Sequence, residues 1–344
     1  MKTIYSDDHH LHHAAGEFVF GDFVPAFEKP ERADLVLGRL GEVALGPVLE
    51  PKTYPREKLT RVHSDAFVTF LETAYDQWEA AGRTGDVLPF SWRAARMRTD
   101  KVPTHIDGKL AVYSFDAGAP ITKTSWQAIK SSADVALTGA ELIEAGEKAV
   151  FSLCRPPGHH SGYDYFGGYC YINNAAVTAQ HFLDNGAKRI AILDIDYHHG
   201  NGTQDIFYER SDVLFTSIHG DPNTEYPFLL GYDDEPGKGE GEGFNFNYPL
   251  PWGSDYKAWG AANDDACKHI EKYDPDFLIV SLGVDTFKDD PISQFKLEND
   301  DYLRIGERIA KVGKPTLFLM EGGYAVADIG VNAVNVLLGF EGRI

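Results

Sequence analysis

A chain of 344 residues with 43% hydrophobic content and 34 glycines is long enough for one large α/β unit rich in tight turns. Its net charge of −20 disfavours nucleic acid and anionic membrane as partners and draws cations toward any cleft. No apolar run has transmembrane length, and three cysteines (Cys154, Cys170, Cys267) are too few for a disulfide framework, so a reducing, cytoplasmic setting is expected.

The segment from Met1 to Asp8 lacks the apolar core of a secretory signal and reads as a first strand. His9, His10, His12 and His13 follow; with no carboxylate-bearing strand to frame them, they read as an exposed loop. Phe18, Phe20, Phe23, Val24 and Phe27 have no period and suit either core packing or the wall of an apolar cleft. Pro30-Glu31 opens a helix to Leu40. A second, about 64–81, carries Phe67, Phe70, Leu71 and Tyr75 at helical spacing and stops at Gly82. Residues 83–110 gather six Lys and Arg with Phe90 and Trp92 and no period. A long basic loop in an acidic chain is a functional candidate, here as a docking surface for a second subunit.

A helical pattern from Thr124 to Ala145 leads to the strand Ala149–Cys154. A helix from Asn173 to Asp184 precedes the apolar run that ends at Leu193-Asp194. Phe277–Leu282 and Pro315–Met320 are further buried runs. Strands alternating with helices imply a mostly parallel sheet covered on both faces, and no repeat or linker divides residues 1–344 into more than one domain.

In such sheets ligands sit beyond the carboxyl ends of the strands. Asp194, Asp196 and His198 fall at one such end, two apart, on one side of the chain. Solvated polar residues would account for them; so would a divalent metal, which removes the cost of desolvating two carboxylates together. Asp285 lies at another strand end, so Asp196, His198 and Asp285 make a three-ligand set with open positions for a water and a carbonyl. His159-His160 follows a third strand as either a structural pair or an acid–base pair. Tyr324, after Gly322-Gly323, is either a turn residue or a hydroxyl aimed at an oxyanion.

The motifs Arg155–His160, Gly167–Asn174, Asp194–Gly202, Ser281–Asp285 and Glu321–Tyr324, in that order and spacing, resemble the histone deacetylase superfamily, most closely its bacterial acetylpolyamine amidohydrolases. The resemblance implies the arginase/deacetylase α/β fold and hydrolysis of an acetamide by a water that zinc, or in some members iron, activates. It implies Asp196, His198 and Asp285 as metal ligands, tandem His159 and His160 in acid–base roles, and Tyr324 assisting. Asp194 would back His159. The partner of His160 falls at Asn201, which carries no charge, so His160 should hold its proton less tightly than His159. Structural potassium is implied at Asp194, Asp196, His198, Ser217 and Ile218, with a second site at Phe207, Arg210, Val213 and Phe244.

Gly168, Tyr169 and Tyr226 match positions lining the family's substrate tunnel; Phe20, Phe27, Phe287 and Ile292 are further candidates for that wall. A glutamate that some relatives use for the distal amine corresponds to Gly118, with Asp116 as a replacement nearby. The implied substrate is a small cationic acetylated amine, and the excursion at 83–110 would form a homodimer and narrow the entrance. The rivals are a lysine deacetylase, a non-catalytic binding module, and an arginase-like ureohydrolase, which would need more carboxylate ligands.

Overall fold

The apolar runs form strands covered on both faces. In the computed structural model, which describes residues 1–19 and 21–343, the strands are β1 (Lys2–Ile4), β2 (Glu17–Val19), β3 (Asp22–Val24), β4 (Val48–Leu49), β5 (Ala149–Ser152), β6 (Ile190–Asp194), β7 (Val213–Gly220), β8 (Asn245–Leu250), β9 (Phe277–Leu282) and β10 (Thr316–Met320). The helices are α1 (Glu31–Glu42), α2 (Asp65–Ala80), α3 (Ile106–Tyr113), α4 (Ser125–Glu144), α5 (Asn174–Asp184), α6 (Asn201–Phe207), α7 (Tyr256–Tyr273), α8 (Asp301–Ala310) and α9 (Ile329–Glu341). Eight strands make one sheet in the order β4-β1-β5-β10-β9-β6-β7-β8. Every neighbouring pair in it is parallel, while β2 and β3 pair antiparallel apart from it.

Alternation along each central strand feeds two cores. Ile190 and Ile192 of β6 and Leu317 and Leu319 of β10 face a core shared with α2, α4 and α5. Ala191, Leu193, Phe318 and Met320 face the one built by α1, α7, α8 and α9. Each fully buried Leu, Ile or Phe contributes about 1.5–3 kcal/mol. This is the expected helix–sheet–helix arrangement. Among the described residues no helix is long and apolar enough to cross a membrane.

The consecutive strands β5, β10, β9 and β6 carry the motifs, and their register aligns Leu319 with Ser152, Met320 with Leu282, and Asp194 with Ser281. Their carboxyl ends therefore open onto one place.

The histidine-rich loop corrects its reading as exposed. His9 and His12 are buried, each 3% exposed. The cause is Arg155, just beyond β5, a buried guanidinium that has to place all its donors. It donates to the carbonyl oxygens of His9 and His12 and, at 2.7 and 3.0 Å, to both oxygens of Glu28. The loop is folded inward to supply those carbonyls.

Candidate active site

β6 delivers Asp194, and the turn beyond it delivers the rest. Asp194 Oδ1 accepts the Asp196 N–H at 3.1 Å, and Asp196 Oδ1 accepts the His198 N–H at 2.9 Å. Strand alternation is thus not what puts the three on one side, because the strand ends at Asp194. Two successive side-chain-to-backbone turns do so instead. Asp285, just past β9, accepts the Tyr197 N–H with Oδ1 at 2.7 Å and places Oδ2 3.0 Å from His198 Nδ1. Asp196 Oδ1 lies 3.4 Å from that same nitrogen.

One donor atom each from Asp196, His198 and Asp285 lies within 4.8 Å of the other two, and all three residues are buried. Burial and the Asp196 charge push Asp285 up to about 7. Burial alone would lower His198, but hydrogen bonds to Asp196 and Asp285 outweigh it and hold the imidazole protonated. In the chain alone a proton therefore occupies the place between two carboxylates that a divalent cation would take. One imidazole and two carboxylates fit a zinc or ferrous ion with coordination positions left open. Gly322 lets β10's end approach: its N–H donates to Asp196 Oδ2 at 2.8 Å, and a Cβ there would lie 2.7 Å from Asp285 Oδ2.

The tandem histidines lie beside this cluster with tilted rings, centroids 4.0 Å apart, and unlike partners. His159 Nδ1 is 3.0 Å from Asp194 Oδ2, and its Nε2 is 3.8 Å from Asp196 Oδ1. Burial works against its protonation, but Asp196 and Asp194 outweigh that and raise it to about 10. His160 Nδ1 is 2.7 Å from the neutral Asn201 Oδ1. Burial, then the neighbouring His159 and His198, push His160 well below the ordinary imidazole value. Adjacent rings of the same type are thus held in opposite protonation states.

Aromatic groups surround them. Tyr226 meets the His160 ring edge-on at 5.1 Å, and Tyr169 lies 5.5 Å from the Tyr324 ring. Gly168 and Tyr169 are the two central residues of a turn, both at positive φ (53° and 65°), closed by hydrogen bonds between Gly167 and Cys170. Such a turn suits glycine or a short Asn or Asp at both central positions, so Gly168 fits it freely and Tyr169 bears a strain of roughly 1–2 kcal/mol. A Cβ at Gly168 would also lie 2.8 Å from the Tyr226 hydroxyl. Tyr324 is held by its backbone, its N–H donating to Asp290 Oδ2 at 2.7 Å. Its ring packs under the Arg32 guanidinium, 4.6 Å away.

Some expected wall residues stand elsewhere. Phe287 is 2% exposed and packs in the core between the sheet and α7–α9, so it is a core residue. Asp116 does not stand free for an amine: its carboxylate accepts from Tyr226 Oη at 2.6 Å, Gly168 N at 2.8 Å and Gly118 N at 2.9 Å. It holds the wall rather than being the wall. Phe27 and Ile292 are half-buried, their N–H groups donating to Glu17 and Asp290; Phe20 lies outside the described residues. Ser217 pairs in register with Asp194 and bonds His219 Nδ1 at 2.8 Å, with Ile218 next along β7. Of the second potassium set, the Phe207 and Phe244 carbonyls already accept from Arg210 N and Phe215 N, each at 2.9 Å. Val213 opens β7, and the Arg210 guanidinium lies over the Phe207 ring.

The roles of three supporting residues escape sequence reasoning. Glu321 Oε2 accepts the N–H groups of Gly158 and His159 at 2.7 and 3.2 Å, fixing the tandem-histidine turn. Arg32 donates to the carbonyls of Gly323 and Glu321, both at 2.6 Å, and Asp290 anchors Tyr324. Arg32 lies on an amphipathic helix, where a charge reads as surface; only its partners, about 290 positions on, show otherwise.

Relatives share this architecture. A model of the histone deacetylase domain matches residues 26–339. The chain is 62% identical over 342 residues to acetylpolyamine amidohydrolase 2 of Pseudomonas aeruginosa, covering 99% of each. It is 50% identical over 342 residues to the acetylpolyamine amidohydrolase of Mycoplana ramosa, covering 99% of this chain and 100% of that one. A crystal structure of the acetylpolyamine aminohydrolase from Burkholderia pseudomallei superposes with a TM-score of 0.95 at 37% identity, covering 100% of this chain and 99% of that one. The chain belongs to the histone deacetylase family.

Proposed function

We propose that this chain is a metal-dependent amidohydrolase that removes acetate from N-acetylated polyamines or diamines such as acetylputrescine, acetylcadaverine and acetylspermidine. The observation that carries the reading is the buried set Asp196, His198 and Asp285 beside two histidines with opposite proton affinities. Relatives named for acetylpolyamine hydrolysis support the substrate class.

A zinc ion, or ferrous iron, held by Asp196, His198 and Asp285 would polarise the acetamide carbonyl and acidify a water. His160, with Nδ1 held by Asn201, presents a neutral Nε2 to take a proton from the attacking water. His159, charged and backed by Asp194, supplies a proton to the departing amine nitrogen. Tyr324 donates its hydroxyl to the carbonyl oxygen as that oxygen gains charge. Tyr169 and Tyr226 flank the alkyl chain, and the −20 charge steers its cationic tail inward. Potassium at the Asp194–Ile218 and Phe207–Phe244 positions belongs to the same reading, as do residues 1–344 acting as one unit in the cytoplasm.

The excursion supports a homodimer. Phe90, Trp92, Met97 and Val102 are 72%, 42%, 60% and 47% exposed, more apolar surface than one loop ordinarily leaves to water. Replacing residues 90–102 with a short Gly-Ser bridge spares Val87, Pro89 and Ile106, which are buried. In light scattering this variant should be a monomer where the parent is a dimer, and it should cleave an acetyl-lysine peptide at least about tenfold faster. A parent that already cleaves the peptide as fast as acetylputrescine would favour the lysine-deacetylase reading.

A further inference from the structure

We propose that His9, His10 and Asp34 form a second divalent-cation site, suited to a zinc- or nickel-like ion and sharing no residue with the catalytic cluster. The tight helical turn Asp7–Leu11 ends with the two imidazoles facing α1, whose first turn presents Asp34. His10 Nε2 lies 3.1 Å from Asp34 Oδ1 and 3.2 Å from Oδ2, and His9 Nε2 lies 3.3 Å from the same Oδ1. One donor atom from each residue lies within 4.8 Å of the other two. The ring centroids lie 3.8 Å apart at a 35° tilt, and both Nε2 atoms approach the same Asp34 oxygen.

The hydrogen bonds fix the orientation. His10 Nδ1 is 3.1 Å from the Asp7 carbonyl oxygen, which can only accept, so that nitrogen carries the proton. His10 Nε2 then faces the Asp34 carboxylate, whose Oδ1 is also approached by His9 Nε2, so two imidazole nitrogens and one carboxylate oxygen converge on one place. Donation of the second ring N–H to a backbone carbonyl is also how metal-bound imidazoles are usually held. The Tyr5 hydroxyl, 2.9 Å from His9 Nε2, stands beside the site as a further oxygen. A mixed imidazole–carboxylate set selects borderline transition metals over magnesium or calcium. The His9 carbonyl is also a ligand of the Arg155 guanidinium, so an ion here would clamp the N-terminal loop onto the core.

The test titrates enzyme already holding one equivalent of Zn2+ with ZnCl2 and with NiCl2, reading bound metal by equilibrium dialysis and elemental analysis. His10 and Asp34 side chains are 47% and 45% exposed, so His10→Ala and Asp34→Asn should fold normally. The wild type should take up a second equivalent, and each substitution should weaken that step at least about tenfold. Acetylputrescine turnover and the first equivalent should be unchanged. Saturation at one equivalent, or a second step that survives both substitutions, overturns the site.

Discussion

Asp285→Asn should leave the folded chain intact while removing its activity. Asn keeps an oxygen for the Tyr197 N–H, which Asp285 Oδ1 accepts at 2.7 Å, and keeps the volume of a fully buried side chain. What it removes is a charge that the chain alone holds at a cost, since burial and Asp196 push Asp285 up to about 7. Without metal the variant should melt near the wild-type temperature, because relief of the repulsion with Asp196 is offset by loss of the oxygen that His198 Nδ1 meets at 3.0 Å. With metal it should be weaker by more than about 100-fold in affinity, since losing even a group that only orients a ligand costs 10–100-fold. Turnover should fall with it. Calorimetry on metal-free protein and elemental analysis check both halves. A variant that is destabilised but still loads metal would mean that Asp285 is a structural residue.

The second large effect concerns the tandem histidines. His160→Ala should slow deacetylation by about 10²–10⁴-fold, the usual worth of a positioned base. The pH profile separates the two rings. Activity needs His160 neutral, so the acid limb should lie below the ordinary imidazole value of about 6.5, in keeping with its lowered affinity. It needs His159 protonated, so the alkaline limb should lie above that value. Asp194→Asn takes an anion from His159, favours its loss of a proton, and should move the alkaline limb down alone. Asn201→Asp adds an anion beside His160, favours its protonation, and should move the acid limb up, by roughly 1–3 units. If the limbs ignore both substitutions, these histidines do not set them.

The sheet's centre was legible because strands buried on both faces give unbroken apolar runs, and β5, β6, β9 and β10 fall within a few residues of those runs. β7 hides, although wholly buried, because Thr216, Ser217 and His219 interrupt its apolar pattern. β8 hides because Asn245 and Asn247 are buried while Phe246 and Tyr248 are only half-buried, the reverse of a normal edge strand. The metal-type cluster could be read from spacing, although the turn hydrogen bonds, rather than the strand, bring its members to one side. Chemistry carried by adjacent residues leaves a pattern in the chain. Support carried by Arg32, Glu321 and Asp290 does not, since it depends on contacts across long separations. The inward turn of the histidine loop leaves no local pattern for the same reason: it is set by Arg155, nearly 150 residues on.

The most direct test is acetate release from acetylputrescine, acetylcadaverine, acetylspermidine and an acetyl-lysine peptide by metal-stripped protein reloaded with one equivalent of Zn2+, alongside Tyr324→Phe. The account predicts that stripped protein is inactive, that reloading restores cleavage of the small amines well above the peptide, and that Tyr324→Phe binds substrate but turns it over at least about 100-fold more slowly. Metal bound at Asp196, His198 and Asp285 with no turnover of any of the four would contradict it.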